Sequence, residues 1–311
     1  MTAPARQEGT VFEAGGGVYL VRLGSGALVE AALRGRLKQE RRTGDRVVAG
    51  DGVTVSPQGE GWVVEAVAPR DSELVRRGLG GRKAKVVAAN VERVLVVVAA
   101  RDPDVSFQLV DRLLVVVESS HLHAVLVVNK VDLPGAGAVV AELSSLYGAV
   151  GYPVLAVSAV TGEGMDDLAA ALRHGTSALV GPSGAGKSSI LNALHPELDL
   201  RTGGLSRKTG RGRHTTVSSR LIPLECGGTV ADTPGFGDVG LWGVEAAEVS
   251  RCFPEIVPLE DECRFRGCAH VKEPDCAVRE AVATGAVAES RYRSYLALRE
   301  EALQASEAAG Y

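Results

Sequence analysis

Gly181-Pro182-Ser183-Gly184-Ala185-Gly186-Lys187-Ser188 fits the spacing GxxxxGK[ST], and its flanks decide how it folds. Before it, Ser177-Ala178-Leu179-Val180 reads as a short buried strand; after it, Ser189-Ile190-Leu191-Asn192-Ala193-Leu194 opens a helix. The glycines let the backbone curl so that its N–H groups point inward at phosphate oxygens, beside a helix N-terminus. In that geometry Lys187 reaches the β- and γ-phosphates and the Ser188 hydroxyl binds Mg²⁺, with Ser189 completing the contact set. A glycine-rich turn with a chance lysine leaves the strand–loop–helix context unexplained. The loop alone does not choose the base, because guanylate kinases and transporter ATPases carry similar loops.

Outward from this loop the chain alternates apolar strands with amphipathic helices. Strands are expected at 94–100, 124–128, 154–157, 177–180 and 228–231. Continuous Val/Leu runs such as Val94-Leu95-Val96-Val97-Val98-Ala99-Ala100 mark a parallel sheet covered on both faces. Residues 1–68 have a different texture. Gly17-Val18-Tyr19-Leu20-Val21, Arg46-Val47-Val48-Ala49-Gly50 and Gly61-Trp62-Val63-Val64-Glu65-Ala66-Val67 read as short strands cut by turns, which predicts a small β-barrel. Beyond 240 a cysteine-rich stretch precedes an Ala/Glu/Arg-rich helix expected over about 287–306. The reading is therefore of three domains: 1–68, 69–240 and 241–311.

Composition sets the outer bounds. The chain has 311 residues, 45% hydrophobic and 23% charged, which is ordinary for a globular protein. Its apolar runs are too short to span a bilayer, and no apolar signal region follows the start, so a cytoplasmic protein without membrane contact is expected. The net charge of −4 does not advertise nucleic-acid binding. Locally, however, 201–220 carries Arg201, Arg207, Lys208, Arg211, Arg213 and Arg220 without an acid, and Arg76, Arg77, Arg82, Lys83 and Lys85 form a second basic cluster.

Three further turns at the carboxyl ends of predicted strands settle the base. Asn129-Lys130-Val131-Asp132 matches the guanine-reading NKxD pattern of GTPases. A carboxylate at Asp132 accepts from guanine N1–H and the exocyclic amine that adenine lacks; Asn129 braces the site and the Lys130 stem packs over the base. Ser158-Ala159 looks like the turn whose backbone N–H meets guanine O6, with Val160 where a lysine is usual. Asp232-Thr233-Pro234-Gly235 is DxxG: Asp232 holds Mg²⁺ through water and the Gly235 N–H senses the γ-phosphate. Ligands bind at that edge of parallel sheets. The order is permuted, since NKxD and Ser158-Ala159 precede the phosphate loop. One sheet can be built either way when the original termini were neighbours.

Cys263-x4-Cys268-x-His270-x5-Cys276 supplies three thiolates and an imidazole, the set for a closed, structural zinc site. The alternative is reduced core cysteines plus a solvated histidine. Glu273, Asp275 and Lys272 are available to support the site, while Cys226 and Cys252 fall outside the spacing and read as ordinary small residues. After DxxG stands Phe236, where Ras-like enzymes place a glutamine that orients the attacking water. The candidate replacement is His214, just before Thr215 and Thr216. One of those threonines supplies the Mg²⁺ and γ-phosphate contact, with Thr216 taken as the magnesium ligand and Thr215 as a nucleotide contact; the plain reading of His214 is a solvated loop residue touching RNA.

The permuted order, Gly210-Arg211-Gly212-Arg213-His214-Thr215-Thr216 between the phosphate loop and DxxG, and the Cys/His cluster resemble the RsgA (YjeQ) family, small-subunit-dependent GTPases of bacteria. Weaker signals, Arg34-Gly35-Arg36-Leu37 and Gly44-Asp45-Arg46-Val47, extend the resemblance over nearly the whole chain. It implies an N-terminal OB-fold that binds RNA, a central circularly permuted α/β P-loop GTPase and a mostly helical C-terminal zinc domain. It also implies a catalytic role for His214 alongside Lys187 and Thr216, GTP and GDP as ligands, and action as a monomer in late 30S maturation with 16S rRNA as partner. Two other readings stand beside a 30S-stimulated hydrolase. One is a nucleotide-gated rRNA scaffold in which hydrolysis only times release. The other is an ATP-using P-loop protein, disfavoured by Asp132 and by the absence of LSGGQ.

Overall fold

The computed structural model describes residues 5–35, 37, 46–76, 85–198, 220–232 and 244–308. Outside them lie Arg36, Gly44, Asp45, the basic residues Arg77, Arg82 and Lys83, the segment 201–216 with His214, Thr215 and Thr216, and Thr233-Pro234-Gly235 with Phe236.

The N-terminal strands are β1 (Gln7–Gly15), β2 (Val18–Leu23), β3 (Leu28–Leu33), β4 (Gly52–Gln58) and β5 (Gly61–Val67). They pair in the order β1-β2-β3-β5-β4, and β4 returns to β1 to close a five-stranded barrel with the OB order. All pairs are antiparallel except β3 with β5. Alternate residues Val11, Val21, Ala31, Val53, Val55 and Val64 turn inward and form its core.

One expectation fails here. Residues 46–50 form no strand, although Val47 and Val48 are buried. The Asp51 carboxylate accepts the Val48 N–H (2.8 Å) and the Gly50 N–H goes to Val11 O (2.8 Å), so local partners replace a ladder. Gly50 is in the left-handed region (φ 95°), and a Cβ there would lie 2.0 Å from the Ala89 carbonyl oxygen. The barrel is seated on the next unit through this contact, with Arg70 paired to buried Asp51 (2.7 Å) and Asn90 Nδ2 donating to Gly50 O (2.8 Å).

After a hairpin of β6 (Glu73–Arg76) and β7 (Lys85–Ala89) comes the central sheet. Its strands are β8 (Arg93–Ala99), β9 (His123–Asn129), β10 (Val154–Ala156), β11 (Thr176–Val180), β12 (Arg220–Pro223) and β13 (Thr229–Asp232). The order is β10-β9-β8-β11-β13-β12, parallel except for β12 against β13. A single bridge, Glu13 to Arg220, runs the barrel into this sheet, so the two are separate packing units. The period of two divides β8 between faces: Val94, Val96 and Val98 join one core, Leu95 and Val97 the other.

Helices α1 (Phe107–Glu118) and α2 (Ala136–Gly148) cover the first face; α3 (Met165–Ala171) and α4 (Lys187–Leu194) cover the second. The C-terminal region consists of 3-10 turns, α5 (Ala277–Thr284) and α6 (Glu289–Ala308), the last displaced two residues from the expected span. Phe253, Ile256, Tyr295 and Leu298 pack into the same core as α1, so this region continues the first layer of helices. Among the described residues no helix is long and apolar enough to cross a membrane.

Candidate functional site

The parallel strands end side by side at one edge, and the sequence-predicted turns gather there. The phosphate loop leaves β11, the central strand between β8 and β13. Gly181 (φ 147°) has no space for a side chain, because a Cβ would sit 2.0 Å from Val97 O on β8. Gly186, the residue before α4, is left-handed (φ 89°), and its Cβ would meet Asn129 Nδ2 at 2.2 Å. Ala185 is buried and Ser183 and Gly184 are exposed, so the loop arches outward over a fixed base. Lys187 Nζ donates to the carbonyls of Gly181 (2.7 Å) and Pro182 (2.8 Å), and burial pulls its pKa down. Ser188 and Ser189, on the first turn of α4, are half-buried.

Asn129 ends β9, and its buried amide joins three loops. Nδ2 donates to Ala185 O in the phosphate loop (2.9 Å), and Oδ1 accepts from the Ala159 backbone N–H (3.3 Å). Ser158 Oγ donates to Asp132 Oδ1 (2.6 Å) and accepts the Val160 and Thr161 amides (3.3 and 3.1 Å). Val160, where a lysine is usual, is 83% exposed. Asn129, Lys130, Asp132, Ser158, Ala159 and residues 181–189 therefore lie in one hydrogen-bonded neighbourhood, although 129 and 185 are far apart in sequence. Asp232 ends β13, next to β11 at the same edge. Three contacts belong to no sequence motif: Lys130 Nζ donates to Asp102 O, Pro103 lies against Gly184, and Arg101 lies against Gly135.

The cysteine cluster also assembles. The donor atoms of Cys263, Cys268, His270 and Cys276 all lie within 4.8 Å of one another. Cys263 Sγ is 3.6 Å from His270 Nδ1 and 3.9 Å from Cys276 Sγ, and Cys276 Sγ is 3.4 Å from the same nitrogen. Tetrahedral Zn–S bonds of about 2.3 Å put sulfur atoms about 3.8 Å apart, so the set fits a structural zinc site. Burial holds His270 below its ordinary pKa, favouring the neutral ring a metal needs.

The surrounding loop is pinned. Tyr292 and Tyr295 hydroxyls donate to the carbonyls of His270 and Ala269 (both 2.6 Å), and Glu260 Oε1 is 3.9 Å from His270 Nε2. Glu273 accepts the amides of Ala269, Val271 and Lys272, and its own and these N–H groups hold its carboxyl at about 2. Asp275 pairs with Arg264 at the surface instead (2.6 Å). Cys226 is half-buried, and burial pushes the Cys252 thiol up to about 12, as expected of an inert packing residue.

A buried ionic cluster joins the C-terminal region to α1. Arg291 is 1% exposed; its Nη1 lies 2.6 Å from Asp111 Oδ1 and its Nε 2.7 Å from Glu255 Oε1. Phe253, Tyr147 and Tyr152 surround the guanidinium at 4.6, 5.4 and 6.0 Å.

A parallel sheet carrying a phosphate loop and an NKxD turn, with the strand of the latter earlier in the chain, defines a circularly permuted P-loop GTPase. Residues 67–242 match the RsgA GTPase family. The chain is 48% identical to the small ribosomal subunit biogenesis GTPase RsgA of Gemmatimonas aurantiaca, covering 94% of this chain and 96% of that one. It is 42% identical to the protein of the same name from Moorella thermoacetica, over 95% and 97% of the two chains. Among solved structures, YjeQ from Thermotoga maritima superposes with a TM-score of 0.81 at 34% identity, covering 96% and 99%. YloQ, a circularly permuted GTPase, gives 0.76 at 28% identity, covering 96% of each. The chain belongs to the RsgA GTPase family and is a GTP hydrolase.

Proposed function

We propose that this GTPase acts in biogenesis of the small ribosomal subunit, binding 16S rRNA in the 30S particle and hydrolysing GTP faster there than alone. The relatives' shared name supports the subunit. The observation that carries the nucleotide part is the Asn129 amide, which ties the guanine-reading turn, the Ser158-Ala159 turn and the phosphate loop into one cradle. In this reading Asp132 and the Ala159 N–H read guanine, with Asn129, Lys130 and Ser158 holding the base site. Residues 181–189 with Thr215, Asp232 and Gly235 hold the phosphates, and Lys187 neutralises charge on the β- and γ-oxygens. Ser188 and Thr216 would hold Mg²⁺, which would screen the charge that develops on the transferred phosphoryl group. His214 orients the attacking water.

Domains at 1–68, 69–240 and 241–311 divide the work into an RNA-binding barrel, the GTPase and a module stapled by one zinc on Cys263, Cys268, His270 and Cys276. The protein works as a monomer in the cytoplasm. The test is GTP hydrolysis by wild type and His214→Ala, each with and without 30S subunits. Stimulation of at least about tenfold, lost in the variant, is expected; equal wild-type rates with and without subunits sink the proposal.

A further inference from the structure

The segment 101–104 belongs to no guanine-nucleotide motif, yet it touches the nucleotide loops at three points. It leaves β8 where Ala100 N donates to Asn129 O (2.9 Å), so it emerges between the strand that ends in Asn129 and the strand that ends in the phosphate loop. The Asp102 carbonyl accepts from Lys130 Nζ. Pro103 Cδ stands 3.3 Å from where a Cβ on Gly184 would be, against the outer arch of the phosphate loop. The Arg101 guanidinium stands 3.1 Å from where a Cβ on Gly135 would be, at the far end of the turn that holds Asp132. Arg101 also pairs with Asp104 (3.3 Å), closing the segment into a bracket. Both ends of the lysine contact are non-glycine residues with left-handed backbones, Asp102 at φ 49° and Lys130 at φ 64°. Such conformations persist only where surrounding structure over-determines them, and they gather at ligand sites.

We infer that residues 101–104 are a positioning segment for guanine: the bracket fixes Asp102 O, and Asp102 O holds the Lys130 stem in place before the base arrives. This rests on the guanine-nucleotide reading of the site. A lysine stem has large rotamer freedom, and ordering it at the moment of binding weakens affinity. With the ammonium already seated on Asp102 O, the methylenes form a ready platform against one face of the purine. The platform is indifferent to the γ-phosphate and to the exocyclic amine, which Asp132 reads.

The experiment is a double-mutant cycle on the full chain, read as fluorescent GDP affinity. Its four corners are wild type, the bracket-free variant Arg101→Gly/Asp102→Ser/Pro103→Gly/Asp104→Ser, Lys130→Met, and the combination. Lys130→Met keeps the stem and removes the donor. Each single corner is expected to lose roughly tenfold, and the combination no more than either, because both break one linkage. Inosine diphosphate and a non-hydrolysable GTP analogue should show the same factor for the bracket variant as GDP, with a thermal midpoint unchanged from wild type, which separates the loss from general loosening of the fold. Additive losses of about a hundredfold, or an unchanged bracket variant, overturn the inference. Should the four-residue variant not fold by its thermal midpoint, Arg101→Ala/Asp104→Ala takes its corner. Wild type that fails to bind GDP at all sinks instead the guanine reading on which the inference stands.

Discussion

In the proposed function, Asp132 makes a demand that only part of a purine can meet. Its Oδ1 already accepts the Ser158 hydroxyl, so the carboxylate is oriented in advance. An acceptor pair suits the N1–H and amine of guanine; an amide pair at the same place suits xanthine, whose 2-oxo group needs a donor. Asp132→Asn is therefore expected to weaken GDP binding by roughly a hundredfold or more and to strengthen xanthosine diphosphate, since a polar group that the bound base covers and leaves facing the wrong partner is costly. Competition of both against labelled nucleotide checks this, and unchanged preference for GDP removes Asp132 from base reading. At this scale the sequence is most legible: Asn129, Asp132, Lys187 and the cysteine cluster sit in short patterns whose chemistry is local. Arg101, Asp102 and Pro103 carry no such pattern, because their role comes from what β8 places next to them.

At the scale of elements, the cradle is made by strand ends approaching too closely for side chains. Gly186 ends the phosphate loop, left-handed and against the Asn129 amide. Gly186→Ala forces a Cβ into that amide, breaks the Asn129–Ala185 bond and strains the backbone, for about 1–3 kcal/mol of stability and loss of measurable GDP affinity. Urea midpoints and nucleotide titration test it; a variant that binds GDP as wild type does contradicts the Asn129 bridge. Periodicity locates the central strands to within a residue or two, because a strand buried on both faces has to be apolar throughout. It misleads at residues 46–50 for the same reason: Val47 and Val48 are buried, Val47 in the barrel core, but Asp51 supplies the partner that a ladder supplies elsewhere. A side chain accepting a backbone amide leaves no trace in an apolar pattern.

Over the whole molecule, the order of motifs joins the DxxG turn to the C-terminal region directly along the chain. The structure adds a second connection, through α1. Asp111 and Arg291 are 180 residues apart, so no sequence pattern pairs them, yet among the described residues they form the most buried ion pair between these regions. Tyr147 OH donates to the same Asp111 oxygen (2.8 Å), and Glu255 takes the other side of the guanidinium. Burial alone would lower the Arg291 pKa, but the two carboxylates hold the guanidinium firmly charged. Such a cluster is weak evidence for stability and stronger evidence for a fixed register, since apolar groups of the same volume often do as well. Removing one charge is another matter. Arg291→Met leaves Asp111 and Glu255 buried without their cation, and should cost about 3–5 kcal/mol in the transition that unfolds the C-terminal helix. Arg291→Met/Asp111→Leu/Glu255→Leu removes all three charges and should recover most of that loss. Denaturant unfolding of the zinc-loaded chain, followed by helix signal, compares the two. A single variant as stable as wild type shows that α6 is held on α1 by apolar packing alone, and a triple variant no better than the single shows that the intact ionic cluster contributes net stability of its own. A triple variant that regains stability while its GTP hydrolysis falls gives the ionic cluster a different role, that of fixing how the C-terminal region stands on the GTPase.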